Sequence, residues 1–84
     1  MKVLFTEYAW EDYLHWQKND AKLLRRINEL IREIQRTPFN GIGKPEPLRG
    51  NLSASWSRRI NGEHRIVYKI KDDCVHISQC RYHY

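Results

Sequence analysis

The sequence predicts one α+β domain, spanning residues 1–84, in which an antiparallel sheet is backed by two helices in the order β-α-α-β-β-β. Three observations carry this prediction. Apolar residues recur at three- and four-residue steps between Asp20 and Pro38, a spacing typical of an amphipathic helix. Asn61-Gly62 separates two β-prone runs and therefore indicates a hairpin. The chain has 84 residues, which suffices for one compact core.

The first half of the chain is predicted to form one strand and two helices. Lys2–Phe5 is a short apolar run suited to a strand. Thr6 can cap a helix over residues 7–18, and Asp20 can cap a second helix. The second helix ends near Pro38, because a residue before proline is pushed out of the α region. Its outer face is basic but interrupted by glutamates, so we expect it to be solvated rather than inserted into a DNA groove.

The second half is predicted to form a loop followed by three strands. Gly and Pro dominate residues 38–51, which indicates an exposed loop without a repeating pattern. Strands are expected over residues 52–60, 63–70 and 74–82, with Lys71-Asp72-Asp73 as the second turn.

A two-residue turn at Asn61-Gly62 would set the register of the first hairpin. The predicted facing pairs are Ile60 with Glu63, Arg59 with His64, and Arg58 with Arg65. Strand alternation then puts Glu63 and Arg65 on the open face of the sheet, with Arg58 across from Arg65. His64 shares the helix-facing side with apolar neighbours, so we interpret it as structural.

The net charge of +5 is concentrated in the second half of the chain. Residues 1–43 have a net charge of +1, and residues 44–84 have a net charge of +4. This excess on the loop and sheet favours a polyanionic partner. No apolar run approaches ~20 residues, so no membrane span is expected. Two cysteines without an export signal indicate reduced thiols and a cytoplasmic location.

Four residues near the end have the types of a zinc site but not its geometry: Cys74, His76, Cys80 and His83. All lie on one predicted extended stretch, where Cys74 and Cys80 would be about 20 Å apart at ~3.3 Å per residue. Zinc binds its ligands within ~2.3 Å. We therefore expect no metal, and no nucleotide or cofactor motif occurs elsewhere in the sequence.

Three side chains have the chemistry that metal-free RNA cleavage requires. Glu46, whose backbone is restricted by flanking prolines, could take a proton from a ribose 2′-OH. Arg65 is a planar, permanently charged fork for phosphate oxygens, and His83 can exchange a proton near neutral pH. Tyr84 adds a phenol beside the terminal carboxylate. From residue types alone, Glu46 could equally be a solvated acid, Arg65 a partner of Glu63, and His83 a frayed end.

Five segments carry a more specific pattern: Thr37-Pro38-Phe39, Gly43-Lys44-Pro45-Glu46-Pro47-Leu48, Trp56-Ser57-Arg58-Arg59-Ile60, Glu63-His64-Arg65-Ile66-Val67-Tyr68 and Arg81-Tyr82-His83-Tyr84. In these segments the chain resembles the YoeB toxins of the RelE superfamily, over essentially its whole length. The resemblance implies a RelE-like microbial RNase fold. It also implies the toxin of a type II toxin–antitoxin module, a ribosome-dependent endoribonuclease that cleaves mRNA in the A site without a metal, by attack of the 2′-OH on the adjacent phosphate.

The resemblance further implies residue roles and partners. The expected catalytic roles are a general base at Glu46, a phosphate clamp at Arg65, a general acid at His83 and a positioning or stacking residue at Tyr84. The expected RNA-contacting residues are Lys44, Arg49, Arg59 and Glu63, with Arg49 standing where relatives are expected to carry lysine. The implied partners are a YefM-type antitoxin, mRNA on the ribosome, a second copy in a homodimer, and operator DNA reached only through the toxin–antitoxin complex.

Two other functions fit the same architecture. A ParE-like inhibitor would block DNA gyrase by binding, and such inhibitors are expected to lack the set formed by Glu46, Arg65 and His83. A plain RNA-binding module would bind with a steep salt dependence and leave the RNA ends unchanged.

Overall fold

A computed structural model describes residues 1–83, which form two helices and a five-stranded sheet. The strands are β1 (Lys2–Phe5), β2 (Glu46–Pro47), β3 (Trp56–Arg59), β4 (Arg65–Lys71) and β5 (Cys74–Gln79), and the helices are α1 (Glu7–Asn19) and α2 (Ala21–Arg36). A short 3₁₀ helix spans Gly50–Leu52. The strand order across the sheet is β1-β5-β4-β3-β2. The predicted α+β class with two backing helices is confirmed.

The sheet is mixed rather than antiparallel throughout, which corrects the prediction. β1 runs parallel to β5, whereas the other neighbouring strands are antiparallel. Because two helices separate β1 from the later strands, no hairpin dictates its direction, and it joins the free edge of β5. The additional strand β2 lies inside residues 38–51, which were predicted to be irregular.

Both helices begin at the predicted caps. Thr6 Oγ1 accepts the amide of Ala9 at 3.1 Å, and Asp20 Oδ1 accepts the amide of Leu23 at 3.0 Å. Each bond satisfies an N–H that has no partner within its helix. The amide of Asp20 also donates to the carbonyl of Trp16, so this aspartate closes α1 and opens α2. Neither helix within residues 1–83 has the length and apolarity needed to cross a membrane.

The core lies between the helices and one face of the sheet. Ile27, Leu30 and Ile34 of α2 have no exposed surface, as their spacing along the helix predicts. Burial of each such side chain stabilises the folded state by about 1.5–3 kcal/mol. The sheet side of the core is formed by Ile66, Tyr68, Val75 and Ile77.

The first hairpin is shifted by one residue from the predicted register. The observed pairs are Trp56 with Tyr68, Ser57 with Val67, Arg58 with Ile66 and Arg59 with Arg65. Neither Asn61 nor Gly62 adopts the positive φ that a two-residue type I′ turn requires. Instead, Asn61 Oδ1 accepts the amides of Glu63 at 2.8 Å and His64 at 2.7 Å. This side-chain turn competes with the type I′ turn, and the connection between β3 and β4 therefore spans residues 60–64.

The register shift changes which side chains face the helices. Because side chains alternate along a strand, a one-residue shift exchanges the two faces of β3. Arg58, predicted on the open face, is fully buried on the helix side, and Arg59 takes the open-face position opposite Arg65. Glu63, predicted within a strand, lies in the connection and is exposed. The two-residue turn with positive φ occurs in the second hairpin, at Asp72-Asp73.

Candidate active site

The face of the sheet opposite the helices carries a row of four residues. Glu46 is paired with Ser57, Ser57 with Val67, and Val67 with Gln79, and directly paired residues share a face. Ser57 and Val67 are only 1% and 2% exposed, whereas Glu46 is exposed at the edge. Neighbouring strands are about 4.8 Å apart, so the backbones of Glu46 and Val67 are separated by about 10 Å. The Glu46 carboxylate therefore lies beside two side chains, Ser57 and Val67, that water barely reaches.

The position of Glu46 is fixed by pairing on both sides of its short strand. The amide of Leu48 donates to the carbonyl of Ser55 at 2.9 Å, and the amide of Arg59 donates to the carbonyl of Gly43 at 2.7 Å. The prolines on either side of Glu46 are tolerated because β2 is an edge strand. They also restrict the backbone torsions from which the carboxylate projects.

Arg65 and Arg59 form the adjacent row on the same face. Arg65 is 8% exposed, and its Nη1 donates to the carbonyls of Asn61 at 2.7 Å and His64 at 3.0 Å. These bonds hold the guanidinium against the connection that precedes β4. Arg59 is exposed beside it.

A cationic pocket of about 280 Å³ lies next to this arginine pair. It is lined by Arg26, Gly43, Lys44, Arg59, Ile60, Asn61 and Gly62. Lys44 reaches it from a backbone with a φ of 51°, and Arg26 comes from α2, where it also pairs with Glu29. Arg26 cannot be identified as part of this pocket from the sequence, because only the tertiary structure brings that part of α2 to the hairpin. The pocket has the charge and size to hold a phosphate.

Arg49 and Glu63 do not line the cationic pocket. Arg49 follows β2 at the end opposite Lys44, and five residues at ~3.3 Å each allow at most about 16 Å between their backbones. Glu63 is exposed in the connection, where its carboxylate lies 3.6 Å from His64 Nε2. Their contacts with RNA stay predictions.

After β5 the chain is held first at Cys80, by two buried side chains of α1. Asp12 Oδ2 accepts the amide of Cys80 at 3.0 Å, and Trp16 Nε1 donates to its carbonyl at 2.8 Å. Burial raises the pKa of Asp12, although the bond from Cys80 opposes this effect. Burial and the nearby Asp12 raise the pKa of the Cys80 thiol to about 12. We call this arrangement the Cys80 anchor.

The chain is held again at Tyr82. His64 Nδ1 accepts the amide of Tyr82 at 2.7 Å, and the carbonyl of Tyr82 accepts the amide of Arg65 at 3.0 Å. Tyr82 has a φ of +65°, a left-handed conformation that a residue with a side chain rarely adopts without tertiary support. We call these two bonds and their partners the Tyr82 anchor.

The Tyr82 anchor brings the end of the chain to the predicted site. His83 follows Tyr82 directly and is exposed, one residue beyond the bond to the Arg65 amide. Glu46 and Arg65 share the open face in adjacent rows, and their meeting with His83 in one catalytic site stays a prediction. Tyr84 lies outside the described residues, and its expected role stays a prediction.

The raised pKa of Asp12 predicts a specific pH dependence of stability. A carboxyl group with a raised pKa in the folded state stabilises that state most when protonated, so its contribution falls as the pH rises above the ordinary range of aspartate. Asp12→Asn keeps an acceptor for the Cys80 amide but does not titrate. We expect the free energy of unfolding of Asp12→Asn, relative to the parent, to increase between about pH 3 and pH 7 in urea titrations. A constant difference over this interval would contradict the prediction.

The chain is similar to known proteins over essentially its whole length. The profile of the YoeB-like toxin of bacterial type II toxin–antitoxin systems matches residues 5–84. The chain belongs to the YoeB-like toxin family. Toxin YoeB of Synechocystis sp. is 63% identical over 84 residues, covering 100% of this chain and 98% of that protein. Toxin YoeB of Escherichia coli K12 is 56% identical and is covered completely in both directions.

Solved structures of YoeB proteins share the fold closely. A YoeB/ParE toxin from Agrobacterium tumefaciens superposes with a TM-score of 0.98 at 49% identity, covering 100% of both chains. A YoeB dimer from Staphylococcus aureus gives a TM-score of 0.93, and a heterotetrameric YoeB–YefM toxin–antitoxin complex from the same species gives 0.92. Both are 47% identical and cover 100% of this chain and 98% of theirs. The predicted membership of the YoeB family is confirmed.

Sequence reasoning missed the buried polar residues that support this YoeB-type site. Asp12 and Trp16 share the buried face of α1 with Ala9, at helical spacing. An acid within an apolar stripe is a signal for a buried hydrogen bond, because unpaired burial is costly. Arg58 was assigned to the wrong face by the register error, and no local signal identifies it.

Proposed function

We propose that this YoeB-family toxin is an endoribonuclease that cleaves mRNA in the ribosomal A site and thereby stops translation. The observation that supports the proposal is that Glu46 and Arg65 share the open face in adjacent rows, while the bond from the Arg65 amide to the Tyr82 carbonyl leaves His83 one residue away. A base, an anion clamp and an acid are together sufficient for cleavage without a metal ion.

The proposed reaction begins when Glu46 takes the proton of a ribose 2′-OH. The 2′-oxygen attacks the adjacent phosphorus, and the bond from phosphorus to the 5′-oxygen of the next nucleotide breaks. Arg65 holds non-bridging phosphate oxygens, while protonated His83 gives its proton to the departing 5′-oxygen. The products are a 2′,3′-cyclic phosphate and a 5′-hydroxyl. Tyr84 is proposed to position or stack on the substrate.

The energetics of these groups are adequate for a useful rate. A positioned acid and a positioned base each contribute about 10²–10⁴-fold. A preorganised charge contact contributes about 3–4 kcal/mol, which is between two and three decades in rate. The restricted backbone of Glu46 and the fixed guanidinium of Arg65 supply the preorganisation that these values require.

The shape of the site supports dependence on the ribosome. Glu46 lies on an edge strand of an open sheet face, so few contacts of this small chain could orient a flexible RNA. Lys44 and Arg59 in the cationic pocket are proposed to hold a neighbouring phosphate, with Arg49 and Glu63 contacting RNA farther away. A ribosome that holds the mRNA in one orientation would already have restricted its motion, so less entropy would be lost when the RNA enters the toxin's site.

The proposed partners follow from the family. The Staphylococcus aureus YoeB–YefM complex and YoeB dimer support a YefM-type antitoxin and a homodimer for this chain. Operator DNA is proposed to be reached only through the toxin–antitoxin complex, and the cytoplasm is the expected compartment of an enzyme that acts on ribosomes.

Mapping of mRNA ends after brief expression tests the proposal. We expect cuts within translated regions that leave a 2′,3′-cyclic or 3′-phosphate upstream and a 5′-hydroxyl downstream. Equal cutting of untranslated RNA would contradict dependence on the ribosome. A ParE-like inhibitor would instead leave mRNA intact and abolish supercoiling by gyrase. A plain RNA-binding module would bind RNA with a steep salt dependence and leave it uncut.

A further inference from the structure

The segment leading to His83 is held by three side chains and by the backbone amide of Arg65 rather than by a strand. β5 ends at Gln79, and beyond it the Cys80 and Tyr82 anchors bind both the amide and the carbonyl of each residue. Cys80 is completely buried, while Tyr82 is half exposed and lies next to the catalytic end. The bond from the Tyr82 amide to the His64 side chain therefore holds the chain one residue before His83.

This bond fixes the state of the His64 ring. A backbone amide can only donate, so Nδ1 must carry a lone pair and the ring proton must reside on Nε2. A protonated imidazole has an N–H at both nitrogens. Protonation would thus set two donors against each other at 2.7 Å and break the bond.

The groups around His64 come from three elements. Glu63 lies 3.6 Å from Nε2, the edge of Trp16 packs on the ring at 4.7 Å, and Tyr82 lies at 5.8 Å between ring centroids. The charged or titratable groups around it are Glu63 and Arg65 beside it in sequence, Tyr82 from the final segment, and Asp12 of α1, which His15 and Arg81 also influence electrostatically. With His64 7% exposed, water has little room to replace the lost acceptor.

We propose that His64 is a positioning residue for His83. Its neutral Nδ1 holds Tyr82 in the left-handed conformation that directs the chain toward the phosphate, and protonation of the ring releases this end. The inference rests on the proposed function of His83. His64 itself transfers no proton to the substrate, because its ring is buried against Trp16 and its Nδ1 is occupied by Tyr82.

Two variants of His64 separate its acceptor from its ring. His64→Phe keeps an aromatic ring against Trp16 but removes the acceptor. His64→Asn removes the ring but keeps a carbonyl oxygen near the position of Nδ1, and this oxygen does not titrate. We expect His64→Phe to lower kcat for ribosome-bound mRNA by about tenfold to a hundredfold with little change in KM. We expect His64→Asn to recover most of kcat.

Amide hydrogen exchange at Tyr82, followed by NMR without RNA, provides the readout that does not depend on catalysis. We expect its protection factor to fall about tenfold or more in His64→Phe and to be restored in His64→Asn. Unchanged protection in His64→Phe overturns the inference, whatever its activity. Loss of protection with an unchanged kcat also overturns it, because the segment would then move without consequence.

The same measurements distinguish failure of this inference from failure of the proposed function. If the parent leaves translated mRNA uncut while Tyr82 protection still depends on His64, the proposed function has failed and the role of His64 in catalysis falls with it. If the parent cuts mRNA and both variants match it in kcat, the proposed function stands and only the inference is overturned. Urea midpoints of both variants establish that the compared proteins are folded.

Discussion

Replacing Glu46 by glutamine is expected to lower kcat for cleavage of ribosome-bound mRNA by about 10²–10⁴-fold. Glutamine has nearly the same shape and remains on the same edge strand, but its amide cannot take the proton of the ribose 2′-OH. Because the loss concerns the transition state rather than binding of the RNA, KM should change little.

Single-turnover cleavage on programmed ribosomes, with the toxin in excess, measures this effect without interference from product release. Glu11→Gln is the matched control, since Glu11 is an exposed glutamate on α1, away from β2. The control should cut at the parental rate. A Glu46→Gln protein that also cut at the parental rate would remove Glu46 from the mechanism and with it the proposed general base.

The elements that could be predicted from the sequence are those with local causes. The caps at Thr6 and Asp20 and the apolar stripe of α2 depend on residues within a few positions of each other, and all were confirmed. The parallel direction of β1 could not be predicted, because it depends on a strand about seventy residues later in the chain. No local pattern encodes which edge of a sheet a terminal strand joins.

The register of the first hairpin shows how one side chain can override a strong local signal. Asn-Gly favours a two-residue turn, but Asn61 Oδ1 binds two amides and stabilises a longer connection. The resulting shift moved Arg58 into the interior. Candidate residues such as Glu46 and Arg65 could be selected by chemistry and by family resemblance, whereas their common face depends on the pairing of β2 with β3 and β3 with β4.

Arg58 is the residue whose loss is expected to destabilise the fold most. It is completely buried, and its guanidinium bridges β3 to the loop that follows α2. Nε donates to the hydroxyl of Tyr68 at 3.1 Å, Nη1 to the carbonyl of Ile42 at 3.0 Å, and Nη2 to the carbonyls of Thr37 and Asn40 at 2.5 and 2.9 Å. The Tyr68 hydroxyl donates onward to the carbonyl of Pro38 at 2.7 Å.

We expect Arg58→Met to lower the free energy of unfolding by about 3 kcal/mol or more, because an unpaired carbonyl costs about 1–3 kcal/mol. The change removes the guanidinium donor of the Thr37 and Ile42 carbonyls, while the Asn40 carbonyl still accepts from the Thr37 hydroxyl at 3.0 Å. Methionine fills much of the volume of the arginine stem, so the loss reports chiefly on hydrogen bonds. Arg59→Met is the matched control, since Arg59 is the next residue on β3 and is exposed. Its free energy of unfolding should stay within about 0.5 kcal/mol of the parent.

Tyr68→Phe separates the two halves of this network. It removes the bond to Pro38 and the acceptor of Arg58 Nε but leaves the three contacts of the guanidinium with Thr37, Asn40 and Ile42. Its cost should therefore be about 1–3 kcal/mol and smaller than that of Arg58→Met. Urea titrations of Arg58→Met, Tyr68→Phe and Arg59→Met rank the three variants by their free energies of unfolding. Because the loop leads directly into β2, Arg58 also supports the position of Glu46, and Arg58→Met should lose activity even under conditions where it is folded. Equal stability of Arg58→Met and Arg59→Met would show that the loop is held by other contacts.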